Sequence, residues 1–240
     1  MKNKKIIFTG GSGRFGSVLK KNKTKYKVFF PTKKQLDITN YKKSFNYIKK
    51  IKPKFLIHAA ALSRPMSIHD KNINNSIDIN IMGTCNIVKI CSKFKIKLIF
   101  FSTNYVYPSK SGTYKENDAL LPRNTYAWSK LGAESAVQMY KNSLILRICM
   151  TEKPFVHKKA FTDAFTNFIY HEDLVKIFLK LINKKGVINI GGPTQSVYNF
   201  VKKDNDKIKK ISVKNNKSLK FPINSSMSLD KLKKAISNKK

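Results

Sequence analysis

Residues 6–16 read IIFTGGSGRFG, and they decide the fold. Ile6 to Thr9 form a short apolar run that stops at Gly10, Gly11, Ser12 and Gly13, after which Arg14 to Lys20 continue with helix-forming composition. This is a strand, a glycine turn and a helix. Gly10, Gly13 and Gly16 stand at GxxGxxG spacing at the point where the helix begins. The turn needs positive φ, a pyrophosphate must approach the backbone closely, and the helix must then pack on its strand. The N–H groups at the helix start face the phosphates, so the pattern points to a dinucleotide. No GK[ST] follows the turn, which disfavours a Walker-type phosphate loop.

Working outward, a second β-like run, Tyr26 to Phe30, stops at Pro31, and a third short piece ends at Leu36, Asp37 and Ile38. A helix is predicted from Tyr41 to Ile51, then a strand from Phe55 to His58 leading into Ala59, Ala60 and Ala61. Ile77 to Phe94 has apolar residues near 3.6 spacing and reads as one long helix, and Lys97 to Phe101 as a strand too apolar to face water on either side. Strands alternating with helices imply an α/β fold, a doubly wound parallel sheet of the Rossmann type. Beyond Arg147 the pattern loosens. A helix is expected over His171–Lys184 and a strand over Val187–Ile190, with Ser196 and Ser228 as N-caps, while Lys202–Lys220 reads as a loose surface segment. The expected organisation is a dinucleotide-binding domain over 1–150 and a small, shortened C-terminal substrate-binding part over 151–240, interleaved with the first.

At 240 residues, 41% hydrophobic and 11% aromatic, the chain has the material for a packed core. Its formal net charge of +36 would attract nucleic acid or an anionic membrane. Only Arg14, Arg64, Arg123 and Arg147 are arginines, however, and the lysines run through every segment beside many Asn and Ile, the composition an AT-rich genome produces. Readers of bases or phosphates lean on clustered guanidinium groups, so no specific nucleic acid partner is expected. DNA should bind weakly and lose affinity steeply with salt; nanomolar binding of one specific duplex at about 150 mM salt would overturn this. Cys85, Cys91 and Cys149 with His58, His69, His157 and His171 show no zinc spacing, so no metal is expected and the thiols read as free. No signal-peptide or transmembrane stretch is seen, and a cytoplasmic protein without a membrane partner is the expectation.

Two details address the cofactor and the chemistry. An NAD site usually carries Asp or Glu after the second strand, whereas here Pro31, Thr32, Lys33 and Lys34 follow it and Arg14 sits in the turn. Cations there suit a 2′-phosphate, so NADP is expected, with NAD left open. Tyr126 and Lys130 form YxxxK within the helix-forming run TYAWSKLGAESAVQMY, one loop after a strand ending in Ser102 and Thr103. In a lysine-rich chain the spacing also arises by chance, as Tyr198 and Lys202 show. Context favours Tyr126: a lysine one helical turn away stabilises the phenolate of a proton donor, and the Thr103 hydroxyl is placed to polarise the same carbonyl.

The motifs TGGSGRFG, QLDIT, HAAA, NIMGT, FSTNYVY, YAWSK and LRICM occur in the order of the extended short-chain dehydrogenase/reductases, and over residues 4 to 150 the chain resembles the dTDP-4-dehydrorhamnose reductase and sugar-nucleotide-binding family. The resemblance implies Gly10, Gly13 and Gly16 at the pyrophosphate, Asp37 and Ile38 at the adenine and Ala59, Ala60 and Ala61 along the cofactor, with Phe15 also among the cofactor-binding residues. It also implies Thr103, Tyr126 and Lys130 as the catalytic set, with Tyr126 and Lys130 reaching the cofactor too, and Asn80 in a helix that orders the site. Related dehydratases carry an acidic pair where this chain has Asn104 and Tyr105, and fucose-synthase-like epimerases have cysteine at Asn104. The span from Arg147 to Asp173 is short for the family, while AFTDAFTNFIYHEDL, NIGG and SMSLDKL resemble its substrate domain. The function implied is NAD(P)H-dependent reduction of a keto sugar nucleotide in dTDP-rhamnose biosynthesis, with a homodimer as a possible assembly. A non-catalytic NADP-binding regulatory subunit and a sugar-nucleotide epimerase remain as alternatives.

Overall fold

A computed structural model describes residues 4–215 and 222–237. Its central sheet is built from β1 (Lys5–Thr9), β2 (Lys27–Phe29), β3 (Phe55–His58), β4 (Lys97–Thr103), β5 (Ser143–Ile148) and β6 (Gly186–Ile190). All are parallel, in the order β6-β5-β4-β3-β1-β2. Besides the short helical turns Ile68–Lys71 and Ile73–Ser76, the α-helices are α1 (Arg14–Lys20), α2 (Tyr41–Ile51), α3 (Gly83–Lys93), α4 (Thr125–Gln138), α5 (His171–Phe178), α6 (Val197–Lys202) and α7 (Asp230–Ser237).

The two-residue period of the strands divides the core. Ile6, Phe8, Phe55, Ile57, Ile99 and Phe101 pack on Phe15 and Leu19 of α1 and Leu174 and Phe178 of α5. Ile7, Leu56, Leu98 and Phe100 point the other way, against Ile48 of α2, Ile87 and Ile90 of α3 and Val137 of α4. Burial of each such side chain is worth about 1.5–3 kcal/mol, and strands buried on both faces are why the runs read as continuously apolar. The doubly wound parallel sheet expected from the sequence is present. β1 lies between β2 and β3, so the chain leaves it in opposite directions, and the crevice opens where the connections after β1 and β3 diverge.

Several expectations are corrected. Leu36–Ile38 is no strand: the Asp37 carboxylate accepts hydrogen bonds from the Thr39 N–H and hydroxyl at 3.0 and 2.8 Å, closing a local turn, while Leu36 and Ile38 are buried in the core. Residues 77–94 are not one α-helix. Ile77–Met82 winds as a π-helix and α3 starts only at Gly83, where a Cβ would lie 2.9 Å from the Ile38 side chain. Helix α5 ends at Phe178 and passes into a 3-10 turn over Leu179–Leu181, short of Lys184. The segment after Lys202 is not loose throughout. Lys209–Ile211 pairs in parallel with Lys159–Phe161, and the Asp163 carboxylate accepts from the Val213 N–H at 2.8 Å; residues 216–220 lie outside the described residues.

Ser196 caps α6, accepting from the Asn199 N–H at 3.1 Å; Ser228 is not the cap of α7, because that helix begins at Asp230 and Ser228 stands one residue before the cap position, its hydroxyl accepting from the Asp230 N–H at 3.3 Å. Beyond β5, Met150–Thr151 pairs with Ile169–Tyr170, and Ala160, Ala164, Tyr170, Val197, Phe200, Val201 and Ile208 make a small core of their own. Strand β6 nevertheless returns to the main sheet beside β5. No helix among the described residues is long and apolar enough to cross a membrane.

Candidate functional site

A cleft of about 1640 Å³ opens at the carboxyl ends of β1, β3, β4 and β5. Single small-molecule pockets run to roughly 300–1,000 Å³, so this one has room for two ligands side by side.

The glycine turn forms one wall. Gly10 has φ +80°, and a Cβ there would lie 2.8 Å from the Ala60 backbone nitrogen, so no other residue fits between β1 and the strand exit at Ala59 and Ala60. At Gly16 a Cβ would meet Gly10 O and Gly11 Cα at 2.7 Å, which fixes how closely α1 packs on the turn. Gly13 differs: a Cβ there would approach only Gly10 O, at 3.1 Å, and so would stand in the cleft. The residues present therefore fit a dinucleotide diphosphate, because at its glycines the turn offers bare backbone and between them only the short Ser12 side chain. Phe15 lines the cleft but is itself held in the core, edge-on to Phe178 at 5.5 Å.

Lys33, Asp37 and Ile38 line the cleft, as do Ala59, Ala60 and Ala61 after β3. Ile38 is fixed by its backbone carbonyl, which accepts from the Asn86 side chain at 2.9 Å, and the Asp37 carboxylate is engaged by Thr39. Arg14 is engaged by a carboxylate. Its Nε lies 2.9 Å from Glu152 Oε1, a carboxylate that Arg64 Nη1 also meets at 2.9 Å. Asn80 is buried and does not line the cleft. From the π-helical segment its carboxamide accepts from the Leu62 N–H at 2.8 Å and donates to Leu62 O at 3.0 Å and Ser129 Oγ at 2.8 Å, tying the exit of β3 to α4. It positions the wall.

Thr103, at the end of β4, and Tyr126, in the first turn of α4, open into the cleft together. The α4 N-terminus is fixed by Asn124, whose side chain accepts from the Ala127 N–H at 2.8 Å. Lys130 follows one turn later but is buried away from the lining, its ammonium 4.2 Å from the centroid of the Phe100 ring. Burial lowers it to about 7, opposed by the Glu134 carboxylate. Burial pushes the Tyr126 phenol up to about 12, and the charge that works against this is Arg64. Tyr198, which shares the YxxxK spacing, packs instead in the small C-terminal core. Asn104 is committed to structure, donating to Ser225 Oγ at 3.1 Å and Ser225 O at 3.3 Å, so it offers no proton for elimination or epimerisation.

Sequence reasoning missed two charged sets. One is the Arg14–Glu152–Arg64 cluster; the other is the buried pair of Glu134 and Arg147 behind the cleft, 2.6 Å apart. Arginine in so lysine-rich a chain was the available signal, since three of its four arginines fall in these two clusters.

Comparison with known proteins agrees with this architecture. The dTDP-4-dehydrorhamnose reductase of Aggregatibacter actinomycetemcomitans is 28% identical over 202 residues, covering 80% of this chain and 63% of that protein. Methionine adenosyltransferase 2 subunit beta of Xenopus laevis is 31% identical over 102 residues, covering 42% of this chain and 30% of that one. The chain thus spans less than two thirds of the length of either relative. Among solved structures, the dTDP-4-dehydrorhamnose reductase of Bacillus anthracis str. Ames in complex with NADP superposes with a TM-score of 0.86 at 23% identity, covering 96% of this chain and 92% of that one. A family model described as the RmlD substrate binding domain matches residues 4–190, a span that takes in every strand of the sheet from β1 to β6 and most of the residues lining the cleft at their carboxyl ends, and the chain belongs to that family.

Proposed function

We propose that the chain is an NAD(P)H-dependent oxidoreductase of the short-chain dehydrogenase/reductase type that reduces a keto sugar nucleotide, in the manner of dTDP-4-dehydrorhamnose reductase. The observation that carries this reading is the opening of Thr103 and Tyr126 into the same cleft as the glycine turn. Gly10, Gly13 and Gly16 would hold the diphosphate, Asp37 and Ile38 the adenine, and Ala59 to Ala61 the length of the cofactor. A nicotinamide bound there would supply hydride to the carbonyl carbon. The Tyr126 hydroxyl, protonated at neutral pH, donates its proton to the carbonyl oxygen, and the Thr103 hydroxyl hydrogen-bonds the same oxygen. Lys130 acts from behind the tyrosine, and the part from about residue 151 onward binds the sugar nucleotide. The test is NADPH oxidation against a panel of nucleotide-linked 4-keto-6-deoxy sugars; no consumption with any of them would sink it.

NADPH should bind more tightly than NADH. Lys33 lies on the cleft wall after β2, where an NAD site would place a carboxylate. Titration at about 150 mM salt tests this, because at low salt the +36 charge attracts any anion. Equal dissociation constants would refute it.

A second reading, a non-catalytic NADP-binding subunit, is favoured by one observation: Lys130 is buried on Phe100 and does not reach the cleft surface. The same panel separates the two, since that reading requires cofactor binding without turnover.

A further inference from the structure

Only four of the 49 basic Lys and Arg residues are arginines, yet two of them meet at one oxygen in the cleft. Arg14 comes from the start of α1, Arg64 from the loop after β3, and Glu152 from the chain following β5. Arg14 Nε and Arg64 Nη1 both lie 2.9 Å from Glu152 Oε1, and all three residues line the cleft. The carboxylate is the sheltered partner: its side chain is 15% exposed, against 51% for Arg14 and 39% for Arg64. Two guanidinium groups on one carboxylate leave a net positive charge inside the cleft, and planar guanidinium forks are built for the oxygens of phosphate as well as of carboxylate. The glycine turn that precedes Arg14 carries only one short side chain, the exposed Ser12, whose hydroxyl can itself donate to such an anion.

We propose that Arg14 and Arg64 form a seat for the diphosphate of the dinucleotide, and that Glu152 is an internal anion competing for that seat. The inference rests on the reading of the cleft as a dinucleotide site. Binding then exchanges one anion for another: the guanidinium groups give up the carboxylate oxygen for phosphate oxygens, and Glu152 takes them back on release. A device of this kind weakens cofactor affinity and speeds release, which suits an enzyme that must discharge the oxidised cofactor at every turnover.

The test compares the parent chain with Glu152→Gln, Arg64→Met and the double variant, titrated with NADPH and with inorganic pyrophosphate at about 150 mM salt. Glu152→Gln should tighten both ligands by roughly 3- to 10-fold, the scale of losing one or two partly exposed ion pairs. Arg64→Met should weaken both, and by a larger factor in the Glu152→Gln background than in the parent, because there the guanidinium is no longer shared. Unchanged or weaker binding in Glu152→Gln would overturn the proposal, since a carboxylate that merely props the arginines would give that result. Equal factors for Arg64→Met in the two backgrounds would also overturn it. Melting curves check the fold; were Glu152→Gln unable to fold, Glu152→Asp, one methylene shorter, should tighten binding in the same direction. If pyrophosphate follows the expected pattern while neither NADPH nor NADH binds, the cofactor reading fails and the anion seat stands. If NADPH binds the parent and Glu152→Gln alike, the seat fails and the cofactor reading stands.

Discussion

Tyr126→Phe is expected to cut turnover of a keto sugar nucleotide by roughly 10²- to 10⁴-fold, the usual worth of a positioned general acid, while the dissociation constant of NADPH hardly moves. The substitution removes one hydroxyl and keeps the ring, which packs 5.2 Å from the His69 ring, so the fold should survive it. Lys130→Met is expected to damage turnover, and to weaken cofactor binding as well if the ammonium turns from Phe100 toward the cleft when the cofactor binds. Its ammonium sits behind the tyrosine on the same helix and is lowered by burial to about 7, so near neutral pH it is poised between its two forms. Tyr198→Phe is the control. It shares the sequence spacing but sits in the C-terminal core, and should alter neither quantity beyond a small effect on stability. Steady-state rates on a confirmed substrate and cofactor titration by fluorescence separate the three variants. If Tyr126→Phe is folded and turns over at close to the parental rate, the reductase reading goes with it.

The fold was legible because a doubly wound sheet writes itself locally. Ile6–Thr9, Phe55–His58 and Lys97–Phe101 are apolar on both faces, and each is followed within a few residues by its turn or helix, so no long-range information is needed. The glycine turn was legible for the same reason: its three glycines answer to neighbours within the turn or to the next strand exit. Legibility failed where a side chain chose a local bond over the expected period. Asp37 turned on Thr39 in place of a strand, and Asn80 bonded across to Leu62 and Ser129 from a widened helix. It failed again where charges met across the chain. Arg64 and Glu152 are 88 residues apart, and the sequence reading gave Arg14 to a 2′-phosphate because no local pattern revealed the carboxylate waiting for it. A site assembled from the ends of several parallel strands is distributed in this way, so its backbone elements can be read one by one while its ion pairs cannot.

Arg147→Met should be the most destabilising single change among these residues, costing about 3–5 kcal/mol, because it leaves a buried carboxylate without its cation. Arg147 and Glu134 have side-chain exposures of 2% and 0% and lie 2.6 Å apart. The network spreads from them: Arg147 also donates to the Tyr107 hydroxyl at 2.7 Å and to Glu116 O at 3.0 Å, Tyr107 donates to the Asn189 side chain at 2.9 Å, and Ser102 donates to Glu134 Oε2 at 2.6 Å. It thereby joins β4, β5, β6 and α4, and for a domain of this size the loss should lower the melting temperature by roughly 6–20 °C. Adding Glu134→Gln should recover a large part of it, since the double variant buries no net charge, and a coupling energy below about 0.5 kcal/mol would show that the pair is not acting as one unit. Glu134→Gln alone bears on the candidate site. Glu134 is the charge that supports the Lys130 ammonium against burial, so without it the ammonium is depressed further below 7. A lysine whose folded-state value is lowered binds its proton less well than in the unfolded chain, so folding gains stability from this group as pH rises from about 7 toward the ordinary lysine value. In Glu134→Gln that gain should begin at lower pH, and the alkaline form of the enzyme should appear earlier in the pH profile of turnover. A profile that stays in place would mean that Lys130 titrates independently of the buried pair.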